Sequence, residues 1–156
     1  MAGVASLNVL LVDDNEADSY LFSEFFNEMK PDATVHCVED GVGAMDYLLH
    51  RDSYRDAELP DVVILDLNLP RKDGKEVLRE IRDNQLLKDL PVFIYTGSVR
   101  PEDRDICLRY GANGFLNKPN QLSDYPKLME RLTCEEFPKL WNQNKSPLGF
   151  APKGAL

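Results

Sequence analysis

Acidic, hydroxyl and ammonium side chains stand at the ends of four short apolar runs in this sequence. Asp13 and Asp14 follow one run, Asp66 follows another, Thr96 ends a third, and Lys118 comes just after a fourth. If these runs are parallel strands, their carboxyl ends meet at one rim of a sheet, where ligand sites of open α/β sheets lie. The sequence therefore predicts a polar site of three carboxylates, one hydroxyl and one ammonium.

Three crowded carboxylates repel one another and need a cation. Mg²⁺ is the natural choice, because it takes hard oxygen ligands and prefers one or two carboxylates together with a phosphate oxygen. We expect Asp14 and Asp66 to bind it directly and Asp13 to bind it through water. The backbone carbonyl of Asn68 would complete the protein ligands.

The chemistry that this set indicates is phosphoryl transfer to a carboxylate. With the metal in place, Asp66 can attack phosphorus and form an acyl phosphate. The Lys118 ammonium would neutralise phosphoryl oxygens, and the Thr96 hydroxyl could donate to one of them. Each residue alone is more often a turn residue, a helix cap or a solvated side chain. Only the ordered set favours a site.

Strand-like runs alternate with helical patterns along the chain. Val9–Val12, Val62–Leu65 and Val92–Tyr95 are apolar blocks typical of strands buried on both faces of a parallel sheet, whereas Thr34–Val38 and Gly114–Asn117 suit its edges. Such alternation indicates βαβ units in a doubly wound α/β fold. Periodicity and boundary residues predict helices near 16–29, 43–50, 75–82, 101–111 and from 126 onward.

Composition narrows the function classes. The 156 residues suit one domain, and the net charge of −9, from 18 basic and 27 acidic residues, argues against nucleic acid and anionic membranes. Three widely spaced cysteines suggest neither a disulfide framework nor a zinc site. Residues 1–6 lack the features of a signal peptide, so we expect a cytoplasmic protein.

Four segments resemble the receiver domain of bacterial two-component response regulators: VLLVDDN, VVILDLNLPRKDG, FIYTGS and GFLNKP. The likeness spans roughly residues 7–132. It implies a flavodoxin-like five-stranded sheet of order 2-1-3-4-5, with Asp66 as the phosphoacceptor and the Asp-Asp pair holding Mg²⁺. Thr96 and Lys118 would sense the phosphoryl group. The likeness also implies a cis peptide bond before Pro119.

A narrower resemblance is to the small regulators paired with bacterial and cyanobacterial phytochromes. It rests on Asp40-Gly41, on the loop from His50 to Pro60, and on Glu136-Phe137 with Trp141. It implies a sensor histidine kinase, of the phytochrome type, as the phosphodonor. Phe115 stands where many receivers carry a switching Tyr or Phe, so an aromatic switch here would lack a hydroxyl.

The chain leaves the receiver pattern near its end, so we expect a receiver domain at 1–133 and an extension at 134–156. Phe137, Leu140 and Trp141 in the extension leave three alternatives: a disordered tail, an arm that docks on a partner, or a cap on its own core. Output is expected through contact with a downstream protein, at the face of the fourth helix, fifth strand and fifth helix. We also expect a homodimer, built from the face between the fourth and fifth helices together with the segment from Phe137 to Trp141.

Two other classes fit less well, so we expect a switch and no enzyme. A phosphatase of the haloacid dehalogenase type needs an acid two residues after its nucleophile, where Asn68 stands. A flavodoxin-like cofactor binder needs a phosphate loop after the first strand, where Asp13 and Asp14 would repel a phosphate. A phosphate-sink role stays open beside that of a switch, in which phosphorylation shifts an existing equilibrium.

Overall fold

Five parallel strands form the centre of the computed structural model, which describes residues 7–97 and 100–144. The strands are β1 (Asn8–Val12), β2 (Thr34–Val38), β3 (Val62–Leu65), β4 (Val92–Thr96) and β5 (Gly114–Asn117). They lie in the order β2-β1-β3-β4-β5, and every neighbouring pair is parallel. The predicted fold class and strand order are confirmed.

Helices cover both faces of the sheet. They are α1 (Glu16–Met29), α2 (Gly41–Leu48), α3 (Gly74–Asp83), α4 (Pro101–Arg109), α5 (Tyr125–Arg131) and α6 (Phe137–Asn144), with short 3₁₀ turns at Asp52–Tyr54 and Leu122–Asp124 and a π-helical turn at Leu132–Glu136. The second helix begins two residues earlier than predicted. The reason is its cap, because the Asp40 side chain accepts a hydrogen bond from the Gly43 N–H.

The three central strands are almost fully buried, as their apolar blocks predict, and the two edge strands are partly exposed. Successive side chains point to opposite faces, so each strand feeds two cores. Leu10, Val63 and Ile94 pack with α2 and α3 on one face. Leu11 and Ile64 pack with α1 and α5 on the other. The sheet is therefore held rigidly from both sides.

The last described segment packs onto the α1–α5 face. Phe137 is fully buried and Leu140 nearly so, and the Phe137 ring lies 5.6 Å from the ring of Phe93 and 6.2 Å from that of Phe26. Pro138 falls in the first turn of α6, where a proline is tolerated, and the π-helical turn Leu132–Glu136 directly precedes this helix. Two of the three apolar side chains that needed burial are therefore inside their own core.

The rest of the predicted extension lies partly outside the description. The side chains of residues 141–144, including that of Trp141, and the whole of residues 145–156 are outside the described part of the chain. No helix in the described ranges is both long and apolar enough to cross a membrane.

The first prediction tests whether residues beyond 133 belong to the folding unit. Phe137→Ala should lower the free energy of unfolding by about 3 kcal/mol, because a fully buried ring is replaced by a cavity. Urea denaturation of the full chain measures this. Leu122→Ala, at a side chain that is 59% exposed, is the control and should change stability by less than about 0.5 kcal/mol. Equal effects of both changes would contradict the packing described here.

Candidate functional site

One lysine lies among three carboxylates at the carboxyl ends of the strands. The Nζ atom of Lys118 is 2.8 Å from Oδ2 of Asp13, 2.9 Å from Oδ2 of Asp66 and 2.9 Å from Oδ2 of Asp18. Asp13 and Asp66 directly follow β1 and β3, and Lys118 directly follows β5. Topology thus brings together residues that are far apart in sequence, as the strand-end argument expects.

Backbone hydrogen bonds extend the sheet ladder into this site. The Asp13 N–H donates to the Val38 carbonyl at 3.0 Å, and the Asp66 N–H donates to the Val12 carbonyl at 3.0 Å. The Lys118 N–H donates to the Thr96 carbonyl at 2.9 Å. The side chains of Asp13, Asp66 and Lys118 therefore start from backbone that is hydrogen-bonded to a neighbouring strand of the sheet.

The two central carboxylates are buried. The Asp13 side chain has no exposed surface and that of Asp66 is 6% exposed. Asp13 Oδ1 accepts from the Asn15 N–H at 3.0 Å, and Asp66 Oδ1 accepts from the Asn68 N–H at 3.3 Å. Burial raises the pKa of Asp13 above its ordinary value, although hydrogen bonds from Lys118 and the Asn15 N–H act in the opposite direction. The site therefore favours any cation that can stabilise the charged form.

The Lys118 ammonium is one such cation. Burial alone would lower the pKa of its ammonium, but hydrogen bonds to Asp13, Asp66 and Asp18 outweigh burial and raise the pKa above its ordinary value. The lysine is therefore charged at neutral pH. The ring centroid of the buried Tyr95 lies 5.9 Å from its Nζ atom.

The donor set also fits a metal ion. Asp13, Asp14 and Asp66 each offer a carboxylate oxygen, and the three oxygens lie within 4.8 Å of one another. Three hard oxygens at this spacing suit a single divalent cation such as Mg²⁺. Asp14 is exposed, so the cluster is open to solvent on its side. Asn68 and Asp14 line the same cavity, and ligation by the Asn68 carbonyl stays a prediction.

The start of α3 packs directly against the backbone of Asp66. A Cβ atom added at Gly74 would lie 2.2 Å from the Asp66 carbonyl oxygen, so only glycine fits there. The Gly74 N–H donates to the Leu67 carbonyl at 2.9 Å. Asp73 and Glu76 form a capping box that fixes this helix end. The backbone that carries the Asp66 carboxylate is thus packed against a well-fixed helix start.

The cavity beside Asp14 reaches from the acidic cluster to α4. Its far wall carries an ion pair between Lys75 of α3 and Asp103 of α4, with Nζ and Oδ1 2.7 Å apart. The hydrogen bond to Asp103 raises the pKa of Lys75 above its ordinary value. This wall joins the two helices that flank the open side of the site.

Thr96 and Phe115 lie in the neighbouring strands β4 and β5. Thr96 is fully buried at the end of β4, next to β5, and Phe115 is half-buried in β5. Their roles stay predictions. The cis bond expected before Pro119 is wrong, because no peptide bond in the described ranges is cis. In X–Pro bonds the trans form is favoured intrinsically by about 0.5–1 kcal/mol, and the bond before Pro119 adopts it.

Sequence reasoning missed two residues at this site. Asp18 lies in the first turn of α1, where an acidic residue is ordinarily explained by the helix dipole. Gly74 lies in the motif that carried the family resemblance, but its contact with the Asp66 backbone depends on how α3 returns to the sheet. Neither contact has a local signal in the sequence.

Comparison with known proteins gives a consistent result. The family model for the response regulator receiver domain matches residues 9–131. The response regulator Rcp1 of Synechocystis is 37% identical over 122 residues, which cover 78% of this chain and 83% of that protein. The structure of its Mn²⁺-bound form superposes with a TM-score of 0.76 at 36% identity, over 83% of this chain and 95% of that one.

Two other solved structures are similar. The phosphorylated cyanobacterial phytochrome response regulator RcpA has a TM-score of 0.78 and 34% identity, covering 84% of this chain and 96% of that chain. The receiver domain of the sensor histidine kinase PA1611 from Pseudomonas aeruginosa, with a magnesium ion in its active site cleft, has a TM-score of 0.63 and 27% identity. That alignment covers 81% of this chain and 97% of the other.

Proposed function

The chain belongs to the response regulator receiver family, and from that premise we propose that it is a switch of a two-component phosphorelay, with Asp66 as its phosphoacceptor. One observation carries the proposal. The Asp66 carboxylate contacts the Lys118 ammonium and also belongs, with Asp13 and Asp14, to a cluster that suits one divalent cation. Positive charge on both sides of a carboxylate is what an incoming phosphoryl group requires.

In the proposed step, Asp66 is the nucleophile. One carboxylate oxygen forms a bond to phosphorus while the bond from phosphorus to the donor breaks, and the donor group leaves with the electron pair. The donor atom is an imidazole nitrogen of a histidine kinase, or an acetate oxygen when acetyl phosphate is used. Lys118 then pairs with a phosphoryl oxygen, and the Thr96 hydroxyl donates a hydrogen bond to another.

Asp13, Asp14, Asp66 and the Asn68 backbone carbonyl would hold Mg²⁺. The ion would neutralise charge on the phosphoryl oxygens. Two relatives with bound metal, Mn²⁺ in Rcp1 and Mg²⁺ in the PA1611 receiver domain, support this assignment. The oxygen-only donor set, with an exposed member in Asp14, supports it independently.

Partners follow from the relatives and from charge. Rcp1 and RcpA are response regulators similar to this chain, and RcpA is a phytochrome response regulator. We therefore propose a phytochrome-type histidine kinase as the phosphodonor. The net charge of −9 disfavours nucleic acid and anionic membranes, and we propose a cytoplasmic signalling protein that is not an enzyme. Its output would be contact with a downstream protein.

That contact would use the face of α4, β5 and α5. Phosphorylation would draw Thr96 and Lys118 toward the acceptor, and both lie at or next to the ends of β4 and β5. A second cavity lies on this face, with Phe115 at its wall. A phosphoryl group would thus shift the equilibrium between two conformers that differ at this surface, and the downstream protein would bind one of them.

The second prediction concerns the acceptor. Incubation with Mg²⁺ and acetyl phosphate should add one phosphoryl group, which alkali should remove because an acyl phosphate hydrolyses readily. Asp66→Asn should abolish labelling, and Asp105→Asn, at an exposed carboxylate of α4, should leave it unchanged. Intact-mass measurement gives the result. Normal labelling of Asp66→Asn would refute the assignment.

The third prediction concerns the metal. Asp14→Ala should weaken Mg²⁺ binding at least about tenfold, the loss that even outer-shell partners of a metal can cause, and should suppress labelling equally. Calorimetric titration measures the binding, and chelation by EDTA should stop labelling of the unaltered chain. Phosphorylation that continues in EDTA would show that the acidic cluster does not act through a metal.

The fourth prediction concerns assembly, for which we propose a two-fold homodimer through the α4–β5–α5 face. Phe137 and Leu140, which were expected in the interface, are buried in their own core and cannot contribute to it, so we assign the interface to this face alone. Arg104 and Asp124 line its cavity, and a two-fold axis would set these opposite charges against each other. Sedimentation at micromolar concentration, with acetyl phosphate and without it, should show a dimer.

A pair of charge reversals provides the control for assembly. Arg104→Glu should give a monomer, while Arg55→Glu, at an exposed position outside this face, should still dimerise. A monomer under both conditions for the unaltered chain would refute the dimer.

A further inference from the structure

Asp18 is the third carboxylate on Lys118, and the receiver mechanism just proposed gives it no part. Resting on that proposed function, we propose that Asp18 is a positioning residue. It fixes the Lys118 ammonium toward Asp66 before phosphorylation and keeps it in place afterward. The observation behind this is a contact between α1 and the end of β5, between residues 100 positions apart.

The geometry of Asp18 suits it to fix the Lys118 ammonium in one position. Its Oδ2 atom lies 2.9 Å from Lys118 Nζ, and its side chain is only 29% exposed. Asn15 caps α1 by accepting from the Asp18 N–H at 3.0 Å, so the first turn that carries the carboxylate is well fixed. The side chain of Lys118 is 14% exposed. A charge-assisted hydrogen bond in such a place is stronger than one on an open surface.

Asp18 differs from the other two carboxylates that contact Lys118 because it lies outside the acidic cluster. The Lys118 ammonium donates hydrogen bonds to Asp18 and Asp66, each at 2.9 Å, and forms an ion pair with Asp13 at 2.8 Å. Asp13 and Asp66 also belong to the acidic cluster that suits a cation, whereas Asp18 does not. A bound cation would weaken the hold of the first two on the lysine. Asp18 would keep its full charge for Lys118.

This difference matters when the phosphoryl group arrives. The Asp66 oxygen that Lys118 contacts is replaced by a phosphoryl oxygen, and the ammonium has to follow it. A lysine side chain is a flexible four-carbon stem, so an ammonium held on one side by Asp18 has fewer orientations to lose in reaching the transition state. Asp18 thereby acts on the reaction only through Lys118.

The test is a double-mutant cycle on labelling by acetyl phosphate, in the full chain with saturating Mg²⁺. Asp18→Ala should lower the maximal rate about fivefold, within the range of coupling between residues in one ion-pair network, and should leave the half-saturating donor concentration nearly unchanged. Asp18→Asn keeps an oxygen acceptor and should fall between. In a Lys118→Ala background, which should label slowly, neither change should have a further effect.

Glu16→Ala is the matched control, because it removes a carboxylate from the same helical turn that does not contact Lys118. It should label like the unaltered chain. Thermal unfolding of each variant shows that it is folded. If Asp18→Ala does not fold, Asp18→Asn alone decides the test. It should lower the labelling rate about twofold in the otherwise unaltered chain and leave the rate of the Lys118→Ala chain unchanged.

Three results would overturn the proposal: an unchanged or higher rate with both Asp18 variants, an equal loss in the Lys118→Ala background, or an equal loss with Glu16→Ala. The second would indicate a structural role, and the third would indicate general repulsion or attraction by charge. If the unaltered chain accepts no phosphoryl group at all, the proposed function fails and this inference falls with it. Normal labelling of the unaltered chain separates the two failures.

Discussion

The Lys118 ammonium lies against three carboxylates in a place with little access to water, and the rest of the site follows from this arrangement. A single positive charge cannot balance Asp13, Asp18 and Asp66 together, and burial raises the pKa of Asp13 in spite of its contact with Lys118. A phosphoryl group would add further negative charge. The structure therefore suits acceptance of phosphate only alongside a divalent cation, for which the oxygens of the acidic cluster are spaced.

The fold serves this charge cluster by holding its members rigidly. Two of the carboxylates and the lysine begin on backbone that continues strands of the sheet, and Gly74 lets α3 pack against the carbonyl of Asp66. Lys118 reaches Asp13 from the opposite half of the sheet, since β3 and β4 lie between β1 and β5. A movement of the ammonium toward a phosphoryl oxygen would thus act on β5 and the helices beside it. This is the physical link between the site and the proposed contact surface.

Much of this could be predicted from the sequence because burial on both faces leaves unbroken apolar blocks, and strand ends then locate Asp13, Asp66 and Lys118. Contacts across long distances in sequence could not. The pairing of Asp18 with Lys118 gives no local pattern, and the burial of Phe137 in its own core was one of three alternatives for an apolar segment. The peptide bond before Pro119 depends on a small free-energy difference that tertiary contacts decide.

The central claim is that the phosphoryl group is carried by Asp66 and by no other carboxylate of the cluster. Borohydride reduces an aspartyl phosphate to homoserine, so the labelled full chain can be reduced, digested and read by mass spectrometry. The account predicts homoserine at position 66 and unaltered aspartate at Asp13, Asp14 and Asp18. Homoserine at any of those three positions, with Asp66 unaltered, would contradict it.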